Sequence, residues 1–138
     1  MAQPSTADEQ AISRTIACAY ETLAFDPGGE PDWASFATAF HSRAVLALRV
    51  FPEDPGVRVL DLAGYAQAQM AHGLKEQGYS EEQGQGTIEV FGDVAVVQQP
   101  FTMVFADRSV PAIDVFSLVR IEGTWRIVSV VSDLESPA

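Results

Sequence analysis

The chain has 138 residues, 47% hydrophobic and 20% charged, the make-up of one globular domain (residues 1–138) that can bury about 68–70% of its unfolded surface. With 19 Asp and Glu against 8 Lys and Arg, its formal net charge is −11; phosphate backbones and anionic lipid repel such a chain, so neither nucleic acid nor membrane is expected as a partner. No apolar run approaches the roughly 18 residues of a membrane span, the start MAQPSTADEQ lacks the pattern of a secretory signal, and the lone cysteine, Cys18, can form no internal disulfide, so a cytoplasmic location is expected.

Residues 1–4 read as a loose arm, with the ordered core expected over about residues 7–134. Thr6-Ala7-Asp8-Glu9 has the form of a capping box, in which the threonine oxygen takes a free helix N–H and the glutamate reaches back. Ile12, Ile16, Tyr20 and Leu23 recur at helical spacing and predict an amphipathic helix ending near Phe25. Cys18 within it reads as a small hydrophobe between alanines, with no basic neighbour to activate a thiolate.

Asp26-Pro27-Gly28-Gly29 breaks the first helix. Asp32 is an N-cap for a shorter second one, carrying Trp33, Phe36, Ala37 and Phe40 on one side and ending at His41-Ser42. Ala44 to Phe51 reads as a strand, Pro52-Glu53-Asp54-Pro55-Gly56 as a turn, and Val57 to Leu60 as a second short strand. Asp61 caps a third helix with Leu62, Ala66, Met70 and Leu74 on one stripe and Tyr65 beside it, ended by Gly78. Residues 80–86 are polar and glycine-rich, and read as a loop or the frayed start of the strand holding Ile88 and Val90. Long strands follow, with two-residue turns at Gly92-Asp93 and Glu122-Gly123, where the backbone must tolerate positive φ.

Helices followed by an antiparallel meander make the fold α+β: three helices on a sheet of about six strands. Both parities of the long strands are apolar: Val94, Val96 and Val104 against Ala95, Val97, Phe101, Met103 and Phe105, then Ile113, Val115, Val119 and Ile121 against Phe116 and Leu118. The helices of so short a chain cover one face, which predicts a homodimer through the other.

The wording of several segments resembles the nuclear transport factor 2-like superfamily: Ala39-Phe40-His41, Gly92-Asp93-Val94-Ala95-Val96, Ile113-Asp114-Val115-Phe116-Ser117-Leu118 and Gly123-Thr124-Trp125-Arg126-Ile127-Val128. The resemblance covers about residues 7–134 and is nearest the branch labelled "putative lumazine-binding", with SnoaL-like polyketide cyclases as wider relatives. It implies a cystatin-like cone: a strongly curved mixed or antiparallel sheet and three helices around an internal pocket. The superfamily holds isomerases, dehydratases, hydrolases and cyclases, so it implies no single activity. The proline-rich stretch at residues 52–55 departs from the usual pattern.

Asp114, an acid in an apolar strand, is the leading candidate for chemistry. If Glu122-Gly123 is a two-residue turn, regular pairing gives Leu118–Ile127, Phe116–Ser129 and Asp114–Val131. Asp114, Phe116, Ser129 and Asp133 then share one face, and a similar turn at Arg108 adds Gln99 and Phe101; a bulge, which Pro100 could signal, would break this assignment. Desolvation in such a wall should raise the Asp114 pKa toward neutrality, as general acid or base work requires. The competing role for Asp114 is a hydrogen bond that fixes the cone.

His41 is a second catalytic candidate, against a helix-capping role. Tyr20 and Tyr65 could donate phenolic hydrogen bonds to a bound carbonyl, against ordinary core packing. Trp33, Phe40 and Met70 read as core with some exposure to a cavity, His72 as a surface residue, and Arg120 as a partner for the Trp125 ring. The two histidines have no metal-ligand spacing, and Gly84-Gln85-Gly86 lacks the strand and helix of a dinucleotide site, so neither metal nor cofactor is expected. Three functions remain open: a pocket for a small apolar or amphipathic molecule, a cofactor-free isomerase, dehydratase or cyclase using Asp114, and a dimeric interaction module with a filled cone.

Overall fold

A computed structural model describes residues 6–135 of the protein. The predicted arm at residues 1–4 and the Thr6 side chain of the capping box lie outside the described residues. Helix α1 (Thr6–Leu23) buries the predicted stripe of Ile12, Ile16, Tyr20 and Leu23. Helix α2 (Trp33–Thr38) starts at its predicted cap, where the Asp32 carboxylate accepts from the Ser35 N–H. It stops two residues short of Phe40, which instead opens strand β1 (Phe40–Leu48), so that strand lies earlier than its composition suggests.

Strand β2 (Arg58–Leu60) and helix α3 (Leu62–Gln69) follow, with Asp61 capping Gly64. The predicted third helix is broken. Met70 ends α3, Gly73 takes a left-handed φ of 71°, and a separate turn, α4 (Leu74–Gln77), carries Leu74 into the core. Only a glycine adopts that conformation without steric cost, and one such residue interrupts a helical stripe.

The expected loop at residues 80–86 is a strand for half its length, β3 (Ser80–Gln83). Its polar composition suits the edge position it holds, where charged side chains discourage further pairing. Strands β4 (Thr87–Phe91), β5 (Val94–Val104), β6 (Ser109–Ile121) and β7 (Thr124–Leu134) complete an open, curved sheet in the order β2-β1-β7-β6-β5-β3, with β4 also on β5. All pairs are antiparallel except β1 with β7, so the sheet is mixed. The two predicted turns close Phe91 on Val94 and Ile121 on Thr124.

Two irregularities shape the inner wall. In β7 the pairing slips between Leu118↔Ile127 and Ser117↔Ser129, leaving Val128 extra, a bulge that bends the strand. Pro100 lies inside β5, but between the end of β3 (Gln83↔Phe101) and the start of β4 (Thr87↔Gln98). Its carbonyl accepts from the Gly84 N–H on that side, so its missing donor faces the gap between the strands rather than a ladder. Inside the curve, Ala95, Val97, Phe101, Met103, Ala112, Phe116, Leu118, Ile127 and Val130 pack against α1 and α2. The outer face keeps Val94, Ile121 and Val131 roughly half exposed.

Candidate functional site

The curved sheet and the helices enclose a cavity of about 50 Å³. Its wall is mostly apolar, with Leu46, Leu48 and Val130 from the sheet and Ala19, Leu23 and Phe36 from the helices. Into it come five oxygen-bearing side chains: Tyr20 from α1, Tyr65 from α3, Glu81 from β3, Asp114 from β6 and Ser132 from β7.

Asp114 is 7% exposed and accepts a hydrogen bond from the Tyr20 hydroxyl at 2.6 Å. Burial raises its pKa to about 6, while the Tyr20 and Ser132 hydroxyls pull it down. The Tyr20 ring is fixed by a tilted contact with Phe101 (5.8 Å between centroids) and an edge contact with Phe116 (6.0 Å), so its hydroxyl has little freedom to leave the carboxylate. Desolvation, then the Asp114 charge, push the Tyr20 pKa far up, and this phenol remains a donor at any physiological pH.

Glu81 reaches the cavity from the other side of β5. Its strand sits at the sheet edge, so the residue as a whole is only half-buried, yet its carboxyl is enclosed. Burial first, then the Asp114 charge, raise its pKa to about 8, against a lowering hydrogen bond from the Tyr79 hydroxyl at 2.5 Å. Both carboxyls are thus pushed up toward neutral pH, chiefly by burial, and near pH 7 the pair shares about one proton.

Tyr65 differs from the other two phenols. It is 6% exposed, its hydroxyl makes no hydrogen bond to a described residue, and no fully enclosed polar side-chain atom among the described residues lacks a partner. Its hydroxyl therefore opens onto the cavity as an unused donor. Trp33 and Phe36 hold its ring, edge-on at 6.2 Å and stacked at 5.9 Å.

Of the residues singled out from sequence, Asp114, Tyr20, Phe40, Tyr65, Phe101 and Phe116 line this cavity. Ser129 and Asp133 do not share the Asp114 face. The Val128 bulge shifts the register by one residue, so Asp114 pairs with Ser132 and Phe116 with Val130, and Asp133 turns outward to bind Arg49 at 2.9 Å. Gln99 comes beside Asp114, as its cross-strand pair, but its amide donates to the Gly84 and Pro100 carbonyls. Trp33 packs on the lining rings of Phe36 and Tyr65, and neither it nor Met70 lines the cavity. His41 lies in a separate outer groove with Arg126, and its Nδ1 accepts from the Arg43 N–H. Sequence reasoning misses Glu81, Tyr79 and Ser132. Glu81 and Tyr79 sit in or beside the stretch that reads as a loop, and Ser132 requires the bulge to be known.

No group of three or more His, Cys, Asp or Glu positioned to hold a metal is found among the described residues. No helix among them is long and apolar enough to cross a membrane.

Residues 22–131 match the family described as "Putative lumazine-binding". A cystatin-like-fold protein from Nostoc punctiforme PCC 73102 superposes with a TM-score of 0.74 at 15% identity, covering 97% of this chain and 96% of that one. An NTF2-like protein from Pseudomonas putida KT2440 gives 0.75 at 15% identity, covering 98% and 92%. Aln2 from a Streptomyces species gives 0.73 at 17% identity, covering 96% and 94%. At such identities the likeness is one of fold. No curated protein matches the sequence.

Proposed function

The chain belongs to the "Putative lumazine-binding" family, and from that premise we propose that its cone binds a small, largely apolar molecule by a compact polar head. The carrying observation is the unpaired Tyr65 hydroxyl, facing a cavity that also holds Glu81 and Asp114. A donor left free in a mostly apolar wall is open to a ligand carbonyl or hydroxyl.

The Glu81–Asp114 pair favours a second reading, proton transfer on such a ligand without a cofactor. The Asp114 carboxylate would take a proton from a carbon next to a ligand carbonyl. Glu81, as the neutral acid, would give its proton to the carbonyl oxygen, forming an enol that can return the proton elsewhere. The ligand C–H proton goes to Asp114 and the Glu81 proton to the ligand oxygen as C=O becomes C=C–OH, leaving Asp114 neutral and Glu81 ionised. Isomerisation, dehydration and cyclisation all fit that step.

The apolar outer face of the sheet supports a homodimer, with a second copy covering Val94, Ile121 and Val131. Native mass spectrometry tests the binding reading and the dimer together. The expected result is a doubled mass carrying a small organic molecule, after purification or after incubation with lumazine, and loss of that molecule in Asp114→Leu. An empty dimer under every condition would point to a cone that serves only as a structural core.

A further inference from the structure

Two spaces are lined by adjoining residues of the same two chain segments. On the inner side, Val50 and Met103 bound the cavity that holds Glu81 and Asp114. On the outer side, Phe51, Leu74 and Phe105 form the floor of a cleft of about 320 Å³, rimmed by His72, Glu53 and Arg108. Phe51 directly follows Val50, and Phe105 continues the inner face of β5 two residues beyond Met103, so the same two segments supply both sides of the partition. The Phe51 and Phe105 centroids lie 6.5 Å apart, and each residue is 8% exposed.

The inner space alone is too small for an organic ligand. It is a third of the roughly 150 Å³ cavity known to hold benzene, and a two-ring heterocycle needs more still. Any ligand beyond a few atoms must open the wall somewhere, and the partition is where a large open cleft already lies behind it.

The segment carrying Phe51 is also built as a separable unit. The Asp54 carboxylate accepts from the Val50 and Phe51 N–H groups at 3.0 and 3.2 Å, and the Asp54 N–H donates to the Phe51 carbonyl at 3.0 Å. This proline-rich turn is tied to the β5–β6 hairpin by the ion pair of Glu53 with Arg108, whose guanidinium also lies 4.8 Å above the Phe105 ring. Glu53 and Arg108 are 61% and 40% exposed, so their pair is one that water and salt weaken.

We propose that the outer cleft is the second half of the ligand site, joined to the inner cavity when Phe51 swings away from Phe105. This rests on the reading of the cone as a binding site and adds to it a ligand class and a route. The ligand is a molecule with a small hydrogen-bonding head, seated among Tyr65, Glu81 and Asp114, and a flat apolar body lying on the two phenylalanines. Joined, the two spaces reach the several hundred Å³ usual for such sites. The Glu53–Arg108 pair is the latch.

Access to the inner cavity can be timed without a ligand. Ser132→Cys, in a Cys18→Ala background, places a thiol in the inner wall, and its reaction with methyl methanethiosulfonate is followed by mass spectrometry. Phe51→Ala is expected to raise the labelling rate at least tenfold and Arg108→Gln severalfold. Arg14→Gln, at an exposed residue of α1 that lines neither space, should leave the rate within about twofold. An unchanged rate in both Phe51→Ala and Arg108→Gln, equal acceleration by Arg14→Gln, or no labelling of any variant overturns the proposal. Arg108→Gln changes an exposed residue and keeps the test valid if Phe51→Ala folds poorly by circular dichroism. Faster labelling in a protein that binds no small molecule would leave the route standing and remove the binding reading instead.

Discussion

Replacing Glu81 with glutamine is expected to make the protein more stable at pH 8.5, by about 2–4 kcal/mol, while leaving its stability at pH 4.5 nearly unchanged. In the unfolded chain the Glu81 carboxyl titrates near 4.5; in the cone burial and the Asp114 charge raise it to about 8. Between those values the folded protein holds more protons than the unfolded one, so stability falls as pH rises. The loss is complete above about pH 8 and absent below about pH 4.5. At 1.36 kcal/mol per pKa unit the whole shift corresponds to something on the order of 4–5 kcal/mol, and relaxation of the site lowers what is measured. Asp114 acts in the same direction over a lower window, from 3.8 to about 6. Glutamine keeps an oxygen for the Tyr79 hydroxyl and removes the charge. Urea melts of both proteins from pH 4.5 to 8.5 measure the effect; parallel pH profiles would mean that the Glu81 carboxyl is solvated.

The second large effect is expected at Phe116. It is 3% exposed, lines the cavity, and meets the Tyr20 ring edge-on at 6.0 Å. Truncation to alanine removes a buried ring and leaves a void that the stiff sheet cannot close, a change that costs about 3–5 kcal/mol. It also frees Tyr20 to turn away from Asp114. Phe116→Ala should therefore melt at much lower urea and, where still folded, lose the lowering hydrogen bond that Tyr20 gives Asp114, so that Asp114 titrates higher. Arg14→Ala, at an exposed residue of α1, serves as the control and should change stability little.

The elements most legible in the sequence are those fixed by local chemistry. Asp32 and Asp61 cap their helices, Gly92 and Gly123 sit in their turns with positive φ, and the stripe of Ile12, Ile16, Tyr20 and Leu23 is the buried face of α1. Arg120 does lie over Trp125, 5.2 Å from its centroid. The candidate site is legible through Asp114 and the two tyrosines, because an acid inside an apolar strand is conspicuous in a one-dimensional pattern. What fails depends on long-range pairing. Nothing local marks Val128 as extra, yet that one residue moves Ser129 and Asp133 off the inner face and brings Ser132 onto it. Glu81 escapes notice because SEEQ has the composition of a loop, and only its pairing with Met103 on β5 turns it into the cone. The same pairing gives Asp114 the acidic neighbour that regular register assigns to Asp133.

The proton-transfer reading depends on two carboxyls in one apolar cone sharing about one proton near neutral pH. The most direct measurement is a carbon-13 NMR titration of the Glu81 and Asp114 side-chain carboxyls, assigned with Glu81→Gln and Asp114→Asn. Neither is expected to titrate in the ordinary range near 4; the pair should lose its protons in two steps, near 6 and near 8. Two carboxyls that both ionise near 4 would contradict this, and would remove the proton-transfer reading.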